Sequence, residues 1–190
     1  KIGRSDATAN TFTYDSTVDY YQGGTASDTV SVSGEDDAEI WLDGSKGVTY
    51  DSVENVDASS AQGAVTLAGG SGANLLTAGS GDASLWGGNG GNDTLVGGTG
   101  ANTFFFGKNN GSDVVSSSSS TDVTDRVMLY DVVLSDVKSY AENSAGAMVI
   151  TLNDGSSLTY TSGLKDSTVF ELSDGSEWTY NTTEKTWAQA

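Results

Sequence analysis

The sequence predicts an all-β fold in which short glycine-rich coils stack on one another and antiparallel hairpins close the C-terminal end. Three observations carry that prediction. No long stretch places apolar residues at three-to-four spacing, and Gly supplies 25 of 190 residues while Thr, Val, Ser and Tyr are abundant, so helix signals are almost absent. Between the glycines, Leu, Val, Ile and Phe recur at fixed intervals, which a disordered low-complexity chain does not do. Near the C-terminus two Asp-Gly turns stand between alternating apolar residues, a strong short-range hairpin signal.

From the N-terminal side, Gly23-Gly24-Thr25-Ala26-Ser27-Asp28-Thr29-Val30-Ser31 is the first glycine row, with Ala at one glycine position, and it places the start of the stack near residue 20. Trp41-Leu42-Asp43-Gly44-Ser45 and Val53-Glu54-Asn55-Val56-Asp57-Ala58 lack the glycine spacing. They keep short apolar strands between turn residues and read as longer, irregular coils of the same stack. The clearest rows follow at 69–115. Gly69-Gly70-Ser71-Gly72-Ala73-Asn74-Leu75-Leu76-Thr77 and Ala78-Gly79-Ser80-Gly81-Asp82-Ala83-Ser84-Leu85-Trp86 are nine residues each. Gly87-Gly88-Asn89-Gly90-Gly91-Asn92-Asp93-Thr94-Leu95-Val96 carries one extra residue, and Gly97-Gly98-Thr99-Gly100-Ala101-Asn102-Thr103-Phe104-Phe105 returns to nine. A looser fifth row runs from Phe106 to Ser116 through Gly107, Gly111 and Asp113.

Each row reads as a six-residue turn, where glycine allows positive φ and close backbone approach, followed by a three-residue strand with one inward apolar side chain. The inward set is Leu76, Leu85, Leu95, Phe104 and Val115, with Leu67 nine residues upstream. Residues 1–116 are thus expected to form the stack. After the serine run 116–120 the organisation changes. The segments 149–160 and 169–180 align at an offset of 20 with seven identities in twelve, each reading as strand, Asp-Gly turn, strand. Residues 117–190 are expected to form an antiparallel cap, since an open stack would expose apolar surface and an unpaired edge.

Composition narrows the function. Lys and Arg number 8 against 26 Asp and Glu, a formal charge of −18 that repels nucleic acid and anionic membranes and favours cations. Without Cys or His, thiolate chemistry, the commonest general base and most transition-metal sites are excluded. The donors that remain are carboxylate, amide and carbonyl oxygens, which suit calcium or magnesium. No apolar run approaches the ~20 residues of a membrane helix, and Lys1-Ile2-Gly3-Arg4 leads into Ser and Asp rather than a signal-peptide core. Lacking an initial Met, the chain reads as part of a longer one.

The rows at 69–115 resemble the RTX family of hemolysin-type calcium-binding repeats, whose nonapeptide is G-G-x-G-x-D-x-U-x. The resemblance at 20–68 is partial, and residues 104–131, from Phe104 through Asp113 to Asp125-Arg126-Val127, look like the usual exit from such repeats. It implies a parallel β-roll in which successive rows are alternate half-turns, with Ca2+ held between neighbouring turns on one side. It also implies a bacterial protein that leaves the cell by one-step (type I) secretion, folds outside, and serves as a structural or adhesive module at the cell surface. The later Asp-Gly-Ser hairpins resemble C-terminal regions of large surface proteins of that type.

The departures from the pattern select the site. The sixth position, which supplies the carboxylate, is Asn74, Ala83, Asp93, Asn102 and Asp113 in the five rows. Alternate rows would place Asn74, Asp93 and Asp113 in one column and Ala83 and Asn102 in the other, so one side is expected to bind calcium. The expected site lies between loops 87–93 and 107–113, built from Asp93 and Asp113 with Gly88, Gly90, Gly107 and Gly111. A weaker one, with Asn74, lies between 70–74 and 87–93. Against metal ligation stands the simple Asx turn, in which each carboxylate caps its own loop. Asp28 is isolated and reads as a turn residue, as do Asp43, Asp154 and Asp174.

Trp86 and Phe105 each follow an inward residue and are expected to point outward, one above the other. They could bind a host or cell-surface protein or glycan, a competing reading in which calcium is secondary or absent; the alternative expectation is that the C-terminal hairpins fold back over them. Trp41, Trp178 and Trp187 are expected to pack across strands rather than stack on sugars. No catalysis is expected, because adjacent carboxylates such as Asp36 and Asp37 point to opposite faces when extended and no base or oxyanion site accompanies them.

Overall fold

One apolar side chain per short strand suffices to build a core if the strands lie in register, and the computed structural model shows this arrangement. It describes residues 1–3, 7–118, 123–162 and 164–190; Arg4 of the N-terminal segment and Ser119 and Ser120 of the serine run lie outside the described residues. The chain is nearly all β, with one 3-10 turn at Leu134–Asp136 among the described residues.

The strands before the best glycine rows are β1 (Ile2–Gly3), β2 (Thr11–Thr13), β3 (Tyr20–Gln22), β4 (Thr29–Gly34), β5 (Ala38–Trp41), β6 (Thr49–Asp51), β7 (Asn55–Ala61) and β8 (Val65–Ala68). The rows themselves supply β9 (Leu75–Thr77), β10 (Ala83–Trp86), β11 (Thr94–Gly97), β12 (Asn102–Phe106) and β13 (Ser112–Ser117). Beyond them lie β14 (Arg126–Leu129), β15 (Val137–Glu142), β16 (Met148–Leu152), β17 (Ser157–Ser162), β18 (Val169–Leu172), β19 (Glu177–Asn181) and β20 (Thr186–Gln189).

From β7 to β14 consecutive strands alternate between two sheets. One runs β2-β4-β7-β9-β11-β13-β17-β16-β15 and the other β5-β8-β10-β12-β14-β18-β19-β20, while β1, β3 and β6 form a small third sheet. All pairs from β2 to β17 in the first sheet and from β5 to β18 in the second are parallel. The third sheet explains why the early part lacks glycine spacing. Thr29 lies opposite Asn55, a 26-residue circuit that includes a third-sheet strand, whereas Asn55, Leu75, Thr94 and Val114 succeed one another at 20, 19 and 20 residues. Parallel pairing also begins earlier than residue 20, with Ile2 opposite Tyr21 and Thr11 opposite Thr29. Glycine rows marked where the turns are tight, and were a poor guide to where strand pairing starts.

Register aligns the inward residues into two ladders. In the first sheet these are Phe12, Val30, Val56, Leu76, Leu95, Val115 and Tyr160; in the second, Ile40, Leu67, Leu85, Phe104, Val127 and Phe170. All are buried in one shared core. Burying such a side chain contributes about 1.5–3 kcal/mol, so the ladders are the main source of cohesion.

Both Asp-Gly segments form hairpins, β16–β17 and β18–β19. Their twelve-residue similarity does not make them equivalent. In the first hairpin the second strand, β17, joins the parallel sheet beside β13; in the second the first strand, β18, joins beside β14. Antiparallel strands β15, β16, β19 and β20 then occupy the outer positions of the two sheets.

Candidate metal centre

Position six of each glycine row lies two residues before the inward residue, so it shares the inward face at the mouth of the core. Register brings Asn74, Asp93 and Asp113 into one column and sets Ala83 opposite Asn102 in the other. Asp93 and Asp113 are each 1% exposed, and Asn74 is also buried. A buried carboxylate must be solvated by something else, and here the next backbone does it. The Asn74 N–H donates to Asp93 Oδ1 at 2.8 Å, and the Asp93 N–H donates to Asp113 Oδ1 at 3.0 Å. Each carboxylate therefore ties its own circuit to the one before.

The same column runs further toward the N-terminus. Asn10 donates through its backbone N–H to Asp28 Oδ1 at 2.6 Å, and the Asp28 N–H donates to Glu54 Oε2 at 2.8 Å. Asp28, read from sequence as an isolated turn residue, is a fully buried rung of this ladder. Its place as sixth residue of the Gly23 row was the available signal.

Row length decides how the second polar atom of each rung is used. In the nine-residue rows it caps the rung's own loop: Gly24 N–H donates to Asp28 Oδ2 at 2.7 Å, Gly70 N–H to Asn74 Oδ1 at 2.8 Å, and Gly98 N–H to Asn102 Oδ1 at 3.2 Å. All three donors lie four residues before the acceptor. With the extra residue at Gly91, Gly87 still lies against Asp93, but Asp93 Oδ2 accepts no such N–H. In the longer fifth loop, Gly107 and Lys108 give their N–H groups to Asn110 Oδ1 and Asp131 Oδ1 instead. Asp93 Oδ2 and Asp113 Oδ2 are consequently buried and accept no hydrogen bond among the described residues. The own-loop Asx cap is thus not made by either.

Burial raises the Asp93 carboxyl to about 7, the Asn74 N–H opposing and the neighbouring Asp113 charge adding to the rise. Burial likewise raises Asp113 to about 6, opposed by the Asp93 N–H.

The glycines of the site serve close stacking. Gly88 and Gly111 have φ of 106° and 92°, and an added Cβ would lie 2.0 Å from Gly70 O and 1.8 Å from Gly91 O. A Cβ on Gly87 would meet Asp93 Oδ2 at 2.3 Å, so that oxygen rests on the glycine backbone of its own loop. Gly90, with φ of 78°, would bring a Cβ to ordinary contact 3.7 Å from Ser71 O, and Gly107 packs under Tyr130 and Asp131. The donor set fits a hard cation in kind: two carboxylate oxygens without partners beside loops rich in backbone carbonyls. No group of three or more His, Cys, Asp or Glu side chains converges among the described residues, so carbonyls would have to supply most of the shell. Asn74 has its amide already engaged, by Gly70 N–H and toward Glu54 O.

The other column is closed. Its members are Ala83, Asn102 and, beyond the rows compared in sequence, Asp125, which is 1% exposed. Asn102 N–H and Nδ2 both donate to Asp125 Oδ1 at 3.0 Å, and Tyr160 OH donates to Asp125 Oδ2 at 3.2 Å. Asp82, one residue out of register, accepts the exposed Ala101 N–H at 2.9 Å.

On the outer face Trp86 and Phe105 lie opposite each other in register and half-buried. Trp41 and Tyr130 join them around a cleft of about 340 Å³. The residues lining it all precede residue 131, so the C-terminal hairpins contribute nothing to its walls. Trp178 and Trp187 pack across strands, opposite Phe170 and Tyr180. Asp43, Asp154 and Asp174 each accept the N–H of the serine two residues on, as turn residues do.

Compared with known families and curated proteins, the chain matches no family model and no curated relative.

Proposed function

We propose that the chain is a parallel β-roll with a hairpin cap, acting as a non-catalytic, calcium-linked structural or adhesive module of a secreted or surface-exposed bacterial protein. The observation that carries the reading is the pair of buried carboxylates on successive circuits, Asp93 and Asp113, each keeping one oxygen without a donor. Two adjacent buried acids whose charged forms are disfavoured make a poor apo arrangement and a good cation site. Calcium would be held by these two carboxylates and by carbonyls of loops 87–93 and 107–113, with Gly88 and Gly111 permitting the loops to stack. Bound there, it supplies charge neutralisation and a cross-link between circuits, and stability rises with its concentration. Outside a cell, where calcium is abundant, such a site would couple folding to export.

The test is thermal unfolding in chelator and in millimolar calcium, with magnesium as comparison. A clear rise in Tm with calcium that vanishes in Asp93→Asn and Asp113→Asn supports the reading, and an unmoved Tm overturns it.

A further inference from the structure

The outer face of the second sheet carries a feature that the calcium reading does not use. Position four of its strands runs Trp41, Ala68, Trp86, Phe105 in register. Ala68 is the gap in this aromatic row, and over it the cleft of about 340 Å³ opens, a volume within the range of small-ligand sites. The walls are rings at steep angles to one another. Trp41 and Trp86 meet at 5.9 Å and 67°, Trp86 and Tyr130 at 6.2 Å and 87°. Rings set so steeply to one another do not lay out the flat platform on which a sugar ring stacks.

The polar lining is sparse. Besides the tyrosine hydroxyl, which exchanges hydrogen bonds with Asn110, it offers the hydroxyls of Thr66 and Ser84 and the buried indole N–H of Trp86. No carboxylate, carboxamide or guanidinium lines the cleft among the described residues. A sugar would leave most of its hydroxyls unpaired there, and a primary ammonium would bury N–H donors without acceptors. A cation with no N–H to satisfy avoids both costs and is attracted by the ring faces. Charge points the same way. The chain carries −18, and the rim already attracts a cation, since Lys46 Nζ lies 5.0 Å from the Trp41 ring centre and 3.2 Å from Glu39.

We infer that this cleft binds a quaternary ammonium group, the trimethylammonium end of a choline-like molecule, through the rings of Trp41, Trp86, Phe105 and Tyr130. Neither Asp93 nor Asp113 lines the cleft, and its one link to loop 107–113 is the Tyr130 hydroxyl bonded to Asn110.

The experiment titrates the intact chain with choline, with its uncharged carbon isostere 3,3-dimethylbutanol, and with a methyl pyranoside, following the indole NMR signals of Trp41 and Trp86. Saturable shifts with choline, at least roughly tenfold tighter than with the isostere, support the inference. They should be lost in Ala68→Leu, which fills the floor, and weakened several-fold in the half-buried Phe105→Leu. Should either variant unfold, the choline-to-isostere ratio in the unaltered protein still decides. Equal binding of the isostere, preference for the pyranoside, or no shift with choline overturns it.

Discussion

The two columns of polar side chains at the edges of the core start from the same repeat and end in opposite states. In the second sheet Asn102 and Asp125 close a network in which both carboxylate oxygens of Asp125 have donors and Asn102 also caps Gly98. In the first sheet Asp93 and Asp113 form the interstrand rungs but keep one oxygen each without a donor. The difference goes with loop length: the loops before Asp93 and Asp113 are longer than the regular row, and neither carboxylate accepts the N–H from four residues upstream. A regular row caps its own rung and Tyr160 closes Asp125, while the lengthened loops before Asp93 and Asp113 leave one oxygen of each unused.

If that contrast is correct, the largest effect belongs to the closed column. Asn102→Ala leaves the Gly98 N–H and Asp125 short of partners in a buried place and is expected to cost about 4 kcal/mol. Chemical denaturation should give the same loss in chelator and in calcium; a loss that calcium repairs would erase the distinction between the columns.

Next in size is the pH response of the open column. In the unfolded chain both acids ionise near their ordinary value of 3.8, while in the folded chain they hold their protons up to about 7 and about 6. The stability this pair contributes is therefore complete below the ordinary carboxylate range and is lost as pH rises through 6 and 7, on the order of 3 kcal/mol for the two carboxyls together once solvent screening is allowed for. The difference in unfolding free energy between the unaltered chain and the Asp93→Asn, Asp113→Asn double variant, measured from pH 4 to pH 8 in chelator, should follow that curve. Calcium should flatten it.

The single variant Asp93→Asn keeps an acceptor for the Asn74 N–H and removes the buried charge. In chelator at pH 8 it is expected to stabilise by about 1–2 kcal/mol, as replacement of a buried ion by a neutral group often does, and in calcium to destabilise. Opposite signs in the two conditions sharpen the comparison, and equal signs break it. The smallest effect is expected from deleting Gly91. The loop returns to nine-residue length, the Gly88 N–H can cap Asp93, and the calcium-dependent shift shrinks by about 1 kcal/mol, one hydrogen bond to a charged group. A calcium shift left intact by the deletion would show that loop length is not what frees the oxygen.

Much of the first half of this picture was legible in the sequence. The inward residues Leu76, Leu85, Leu95, Phe104 and Val115, and the sorting of Asn74, Asp93 and Asp113 onto one side, follow from counting in nines, because the period sets both face and column. Asp125 was missed since the connection from β13 to β14 breaks the period, with Arg126 23 residues after its partner Thr103. The third sheet was missed for a related reason. A strand such as Tyr20–Gln22 has one buried ring, Tyr21, stacked on Tyr50 at 5.2 Å, and no glycine spacing to announce it. Nor does sequence show which strand of a hairpin will join a parallel sheet, since the similar segments 149–160 and 169–180 do so by opposite halves. The cleft over Ala68 depends on register between residues far apart in sequence, Trp41 and Trp86 among them, and becomes visible only once the sheet is assembled.

The central claim, that Asp93 and Asp113 await a cation, is tested most directly by calorimetric titration with calcium near pH 7 in buffers of different ionisation heat. With Asp93 raised to about 7, part of its population is protonated, so binding should release a fraction of a proton and the heat should vary with the buffer. The account predicts one such event, abolished in the Asp93→Asn, Asp113→Asn double variant and retained in Asp82→Asn. Calcium binding that releases no proton, survives the double variant, or fails to occur at millimolar concentration would contradict it.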